Sequence, residues 1–320
     1  MKLSYAFRRT TFYPYHATGI NRMFGLPSGK TENEFFSAIK DLGFTGIELG
    51  IDIFTINNET ELLINQQTTD LSKDLSNQAK ELKQKLQKRG LECVAFRAGG
   101  GLSHPKNGNE MLGKLLTCID LAGMVGAEVV NTALVTPFTD PDGYGISTGE
   151  RIAQGSSILA SDFEFNETAN KLQQAADHAK KIGVNISVEV HQHSIVDNSW
   201  SALHMVNLVN RDNFGINPDL GNIYWNYDEP EETCEEAIVQ LAPKSIYWHC
   251  KNLKRVHIPE LEKSIFLQAP LPDGDIDYRF AINAMKDANY SGYLAVEGMR
   301  EGDALSNDKK SLEYVRSLIN

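Results

Sequence analysis

Amphipathic stretches ending in glycine alternate along this chain with short apolar runs. Leu42-Gly43 leads to Gly46-Ile47-Glu48-Leu49, Arg89-Gly90 to the run 91–96, Val125-Gly126 to Val129-Val130-Asn131, and Ile182-Gly183 to the run 184–189. Glycine at these junctions suits the left-handed residue that closes a helix and opens an αβ loop. The stretches before it repeat at helical spacing. Leu71, Leu75, Leu82 and Leu86 share one face, as do Leu112, Leu115, Ile119 and Ala122, and again Leu172, Ala175, Ala179 and Ile182. Further apolar runs at 214–216, 245–248 and 293–296, with 3–7 as the opener, bring the predicted strands to eight, each followed by a helical segment. Eight alternating units predict an α/β fold, a closed (β/α)8 TIM barrel. A doubly wound open sheet is the rival, but no Gly-x-Gly-x-x-Gly follows the first run.

No linker, low-complexity stretch or composition break divides residues 1–320, which read as a single domain with long βα loops at about 8–29, 137–162 and 251–277. Long loops inside a compact domain are commonly functional. The second, with Pro137, Pro141, Gly143, Gly145 and Gly149, suits either a mobile lid or a surface insertion.

Composition narrows the function classes. The chain is 41% hydrophobic and 23% charged, enough apolar material for a core and too much for intrinsic disorder. Lys and Arg number 31 against 42 Asp and Glu, a net charge of −11 that works against nucleic acid or an anionic membrane as partner. Cys93, Cys118, Cys234 and Cys250 stand far apart with no Cys-x-x-Cys pair, which predicts buried thiols, not a disulfide framework or a zinc clip. The first residues lack a secretory apolar stretch, and no run approaches the ~20 apolar residues of a membrane span. A cytoplasmic protein is expected.

Candidate chemistry appears where the predicted strands end, the edge at which barrels of this kind carry their sites. Those ends hold Glu48, Asn131, Glu189, Asp219, His249 and Glu297. Acids closing apolar strands are costly to bury unless paired or bound to a cation. Glu189, Asp219 and His249 are spaced thirty residues apart, one barrel unit, and Glu297 closes the series on the last strand. Three carboxylates and an imidazole converging on one point suit one oxygen-preferring divalent cation, Mn²⁺ first, with Mg²⁺ or Co²⁺ as alternatives. Lys251, Arg300, Arg8 and Arg9 lie just beyond strand ends, either as solvated charges or as partners of an anionic group. His104, after Gly99-Gly100-Gly101, is a candidate contact from the third strand. No Gly-x-x-x-x-Gly-Lys loop points to a phosphorylated substrate.

The stretches Ile186-Ser187-Val188-Glu189-Val190-His191, Asn217-Pro218-Asp219-Leu220-Gly221-Asn222, Trp248-His249-Cys250-Lys251-Asn252, Pro272-Asp273-Gly274-Asp275-Ile276-Asp277-Tyr278 and Leu294-Ala295-Val296-Glu297 resemble the sugar phosphate isomerase/epimerase superfamily, the xylose isomerase-like TIM barrels. The resemblance spans essentially the whole chain. It implies that Glu189, Asp219, His249 and Glu297 bind one metal. It also implies that Glu189 and Glu297 act as base and acid on opposite faces of a carbohydrate, in proton transfer next to a carbonyl through a metal-stabilised enediolate. Substrate contacts are expected from Glu48, His104, Asn131, His191, Asn222, Lys251 and Arg300, and His193 is divided between site and structural roles. Many members carry His in the place of Asn222 and His-x-Lys-Asp where this chain has His249-Cys250-Lys251-Asn252. A homo-oligomer is compatible with the resemblance, since dimers and tetramers are common among its members.

A sugar isomerase or epimerase is therefore the expected function. Elimination from a 3-oxo-glycoside or keto-inositol, as a lyase, deglycosidase or dehydratase, is the nearest alternative, and the aromatic loop residues Phe12, Tyr13, Tyr15, Phe24, Phe138 and Tyr144 would admit a bulkier substrate. An apurinic endonuclease is more remote, because it needs more histidines and a basic face. A non-catalytic carbohydrate-binding barrel would retain the same metal ligands.

Overall fold

The computed structural model describes residues 1–6, 32–54, 73–98, 100–104, 106–135, 155–225, 231–261, 263–299 and 302–319. The predicted strands form β1 (Lys2–Ala6), β2 (Gly46–Gly50), β3 (Glu92–Ala98), β4 (Val129–Ala133), β5 (Asn185–Glu189), β6 (Phe214–Asn217), β7 (Trp248–Cys250) and β10 (Tyr293–Glu297). They pair in parallel in the order β6-β5-β4-β3-β2-β1-β10-β7. A parallel bridge between Ile216 and Ser245, with the Ile246 amide donating to the Ile216 carbonyl at 3.1 Å, draws the two ends together. The product is a nearly closed TIM barrel. The seventh strand begins later than its apolar run suggests: Ser245 contributes only that bridge, and His249 sits mid-strand.

Helices surround it: α1 (Glu32–Leu42), α2 (Lys73–Gln87), α3 (Gly108–Val125), α4 (Asp162–Ile182), α5 (Ser199–Val209), the short α6 (Leu220–Tyr224), α7 (Cys234–Leu241), α8 (Tyr278–Asp287) and α9 (Ala304–Ile319). The helical faces read from spacing are the buried ones: Leu75, Leu82 and Leu86 in α2, Leu115, Ile119 and Ala122 in α3, and Leu172, Ala175 and Ala179 in α4. Two residues of these faces depart from this: Leu112 is half-buried against the core, and Ile182 is left 38% exposed at the end of α4. Leu71 lies outside the described residues. Gly126 (φ 98°) and Gly183 (φ 81°) close α3 and α4 in the left-handed conformation that a side chain resists. All four cysteines are free and buried.

Of the three long loops, 8–29 lies outside the described residues, as do 137–154 of the second. The third carries structure that the sequence reading missed. It holds an antiparallel hairpin, β8 (Asn252–Ile258) and β9 (Lys263–Ala269), paired from Asn252↔Ala269 to Ile258↔Lys263. Asn252 anchors it, donating to the carbonyls of Leu271 (2.7 Å) and Ile276 (2.9 Å) and accepting from the amides of Leu253 and Ile276. An aspartate here would turn a charge toward two carbonyl oxygens, a physical reason for asparagine at this point of the motif. Among the described residues, no helix is long and apolar enough to cross a membrane.

Behind β1, the Asp308 carboxylate is fully buried, accepting from the Tyr5 hydroxyl and the Met299 amide, each at 2.8 Å. Burial pushes its carboxyl up to about 7, against the pull of those two donors. Because the folded form holds this proton more tightly than the unfolded chain, the group favours the fold most below about pH 4, and that contribution falls as pH rises toward 7. Asp308→Asn keeps the shape without the ionisation. Urea unfolding of both proteins from pH 4 to 8 is expected to show the variant gaining on the native chain as pH rises; a constant difference would refute this.

Candidate active site

Side chains of a strand alternate between the barrel interior and the surrounding helices. The interior at one end is packed with Ala6, Val94, Ala95, Val129, Tyr247, Tyr293 and Ala295. Two residues further along each strand the same side turns polar: Val129 gives way to Asn131, Tyr247 to His249 and Ala295 to Glu297. Ser187 and Gly215 likewise precede Glu189 and Asn217 on β5 and β6, and Gly46 precedes Glu48 on β2. Period two thus collects the strand-end polar residues at the carboxyl end of the barrel. All are buried.

Glu189, Asp219, His249 and Glu297 each offer a ligand atom within 4.8 Å of the others. Among the described residues this is the one such convergence of His, Cys, Asp and Glu side chains. His249 Nδ1 makes no hydrogen bond, yet Glu189 Oε2 and Glu297 Oε1 stand 3.3 and 3.4 Å from it. Asp219 is not a strand residue. It caps α6, with Oδ1 accepting from the amides of Gly221 (3.0 Å) and Asn222 (3.3 Å), which turns Oδ2 toward the group.

Asparagines and a lysine hold these acids. Asn131 Nδ2 donates to Glu189 Oε2 at 3.0 Å, and Asn222 Nδ2 lies 2.9 Å from Glu189 Oε1 and 3.1 Å from Asp219 Oδ2. Asn217 links the strands, donating to Asn131 Oδ1 (3.3 Å) and accepting from the His249 amide (2.7 Å). Lys251 Nζ reaches Asp219 Oδ2 and Asn222 Oδ1, both at 2.7 Å, and Glu297 Oε2 at 3.2 Å. Its stem lies over Gly221, where a Cβ would stand 2.3 Å from Lys251 Cγ.

Electrostatics fit a cation. Four buried carboxylates, those of Glu48, Glu189, Asp219 and Glu297, face two cations, Lys251 among them and Arg97 beside Glu48, a deficit of two positive charges when His249 is neutral. Burial pushes the Asp219 carboxyl up to about 7 despite Lys251, with Glu297 and Glu189 adding to the rise. Burial acts in the same direction on Glu189, but His249 and His191 outweigh it and hold that carboxyl low. Burial alone would lower the His249 imidazolium, whereas Glu48 and Glu189 raise it well above its ordinary value. A proton on His249 or a divalent cation beside it answers the same excess of negative charge. The donor set, three carboxylates and one imidazole, suits the cation.

A model of the xylose isomerase-like TIM barrel family matches residues 36–318. The chain belongs to this family. It is 22% identical over 159 residues to the L-ribulose-5-phosphate 3-epimerase UlaE of Escherichia coli O157:H7, covering 48% of this chain and 51% of that one. The chain thus matches about half the length of that curated relative. Among solved structures, it superposes on a xylose isomerase-like TIM barrel protein from Mycobacterium smegmatis in complex with magnesium, with a TM-score of 0.73 at 18% identity over 99% of this chain and 96% of that one. It also superposes on the probable 3-DHS dehydratase AsbF of Bacillus anthracis, with a TM-score of 0.67 at 17% identity over 99% of each chain.

Within this family member, the other residues singled out from sequence divide clearly. Asn131, Asn222 and Lys251 join the ligand group through the contacts above. His191 is partly exposed, bonds the Gln192 carbonyl through Nδ1 at 2.8 Å, and feels the charges of Glu189 and Lys251. His193 beside it is held in the left-handed region at φ 59°, an uncommon conformation for histidine. Glu48 is fully buried behind His249, with Nε2 2.5 Å from Glu48 Oε2. His104 Nδ1 accepts from the amides of Lys106 (3.2 Å) and Asn107 (3.1 Å) just before α3. The glycines before His104 serve close approach as well as flexibility, since a Cβ at Gly100 would meet the Ala133 carbonyl oxygen. Arg8, Arg9 and Arg300 lie outside the described residues. Sequence reading passed over Asn217, although it stands within the quoted motif, and Arg97, whose Nε lies 3.8 Å from Glu48 Oε1.

Proposed function

We propose that this chain is a divalent-metal-dependent sugar isomerase or epimerase that moves a proton on the carbon next to a carbonyl. The observation that carries the reading is the convergence of Glu189, Asp219, His249 and Glu297, buried and strongly acidic, at the carboxyl end of the barrel. Those four residues would hold the ion, Mn²⁺ first, with Mg²⁺ or Co²⁺ as alternatives. When bound, a divalent cation supplies Lewis-acid stabilisation of the negative charge that develops on the substrate oxygens.

The chain's own groups do the rest. Glu189 and Glu297 stand three strands apart around the barrel, on β5 and β10, so each reaches a different face of a sugar between them. One takes the proton beside the carbonyl and the other returns it, the arrangement that inverts or relocates a centre. Asn131 and Asn222 keep Glu189 aimed, and Lys251 does so for Glu297. His191, the partly exposed neighbour, meets the substrate. An epimerase and a dehydratase among the similar proteins support a carbohydrate or related keto substrate, and the same first proton abstraction serves both reactions.

The test begins with elemental analysis of the purified protein and a thermal melt before and after chelation. About one equivalent of manganese, magnesium or cobalt is expected, with stability lost on chelation and regained on add-back. Keto-sugars and 3-oxo-glucosides in deuterated water then separate the reactions. Deuterium entering recovered or epimerised sugar supports the proposal, whereas a released aglycone replaces it with elimination. Absence of metal under every condition would end the reading.

A further inference from the structure

Glu48 lies outside the four-residue ligand group, yet it is completely buried against it. Its Oε2 stands 2.5 Å from Nε2 of His249, with both side chains shut off from solvent. The other ring nitrogen of His249 faces Glu189 Oε2 and Glu297 Oε1 at 3.3 and 3.4 Å. One imidazole is thus set between a carboxylate behind it and the ligand group in front. Two carboxylate oxygens this close to one ring nitrogen need a positive charge there, either a proton on the ring or a cation between them.

The rest of the surroundings hold His249 in that attitude. Its amide is bonded to Asn217 Oδ1 at 2.7 Å, and the Tyr247 ring meets it edge-on at 5.3 Å and 70°. Arg97 on β3 approaches the second oxygen of Glu48 at 3.8 Å. The β2–β3 register steps by one residue at Ile47/Glu48, and both Val94 and Ala95 turn into the barrel there. Bulges of this kind re-aim a side chain beside a site.

We propose that Glu48 is the positioning residue of the metal centre: it accepts the Nε2–H of His249 and so leaves Nδ1 as the ligand atom. The carboxylate fixes the tautomer and the ring plane and makes the nitrogen more basic toward the ion. Glu48 therefore touches neither substrate nor metal. This inference rests on the metal reading above.

Mn²⁺ titration of the full chain, with Co²⁺ visible absorption as a second readout, tests it. Glu48→Ala is expected to weaken Mn²⁺ binding by about 10- to 100-fold and to change the Co²⁺ spectrum. Glu48→Gln still accepts from Nε2–H through its amide oxygen, and is expected to keep the native spectrum and lose less than about tenfold. Should Glu48→Ala fail to fold, Glu48→Asp carries the test, because a carboxylate one methylene shorter does not reach Nε2 and should bind Mn²⁺ more weakly than Glu48→Gln. Native-like affinity and spectrum in Glu48→Ala, or equal affinities for Glu48→Asp and Glu48→Gln, would overturn the inference while leaving the metal reading intact. A native chain that binds no divalent ion would overturn both.

Discussion

Replacing Glu189 or Glu297 by glutamine is expected to lower kcat by about 10²- to 10⁴-fold, the range a positioned acid or base supplies. The amide has nearly the same shape as the acid but cannot take or return a proton. At Glu189 the change also places an NH2 group against a donor, because Asn131 and Asn222 both donate to this carboxylate, at 3.0 and 2.9 Å. A stability loss of about 1–3 kcal/mol is expected there, well short of unfolding. At Glu297 the glutamine oxygen can still accept from Lys251, so the fold is expected to change less. Both residues are also proposed ligands, so kinetics belong at saturating metal, with the bound equivalents counted in the same samples. Proton exchange at the substrate carbon should fall with turnover in both variants. Full activity in either one would remove that glutamate from the proton-transfer pair.

Lys251 offers the second large effect. Its side chain is 6% exposed; the ammonium bridges Asp219, Glu297 and Asn222, while the stem occupies the space left by Gly221. Lys251→Met keeps the apolar stem and deletes the charge, leaving two buried carboxylates without their cation. Removing one partner of such a pair costs about 3–5 kcal/mol. For a chain of this size that lowers the metal-free melting temperature by about 4–7 °C. Divalent metal should restore part of the loss, since it binds only the folded form and answers the same negative charge. Gly221→Ala attacks the same contact from the other side, because its Cβ would stand 2.3 Å from Lys251 Cγ. The two changes share one mechanism, so the double variant should fall well short of the summed losses. Additive losses, or an unchanged metal-free melt in Lys251→Met, would show that the ammonium does not neutralise this site.

Much of the architecture was legible because two periods in the sequence report local geometry. The 3.6-residue spacing in α2, α3 and α4 marks the faces that are buried, and the junction glycines close α3 and α4 as expected. The hairpin β8–β9 was not legible. Its first strand mixes Lys254, Arg255 and His257 with Val256 and Ile258, and its apolar residues Val256, Ile265 and Leu267 are left exposed instead of packing into the core. Strand propensity is weak evidence when packing against neighbours decides it.

The sequence alone determined the barrel and the convergence of the four candidate ligands Glu189, Asp219, His249 and Glu297. Repetition of one βα unit, together with alternation along each strand, places the ends of β5, β7 and β10 and the cap of α6 around one axis. Tertiary structure decided what each polar residue does there. Glu48 and His249 are 201 positions apart, and only closure of the barrel brings Nε2 to the carboxylate. His104 follows a glycine run on a strand-end loop, yet its ring is spent on two amides before α3. Lys251 looks like a loop cation in the sequence and proves to be buried among acids, through a glycine that leaves room for its stem. Periodicity assigns a side chain to a face of the fold. Its partners depend on the distances between strands far apart in sequence, which no local pattern encodes.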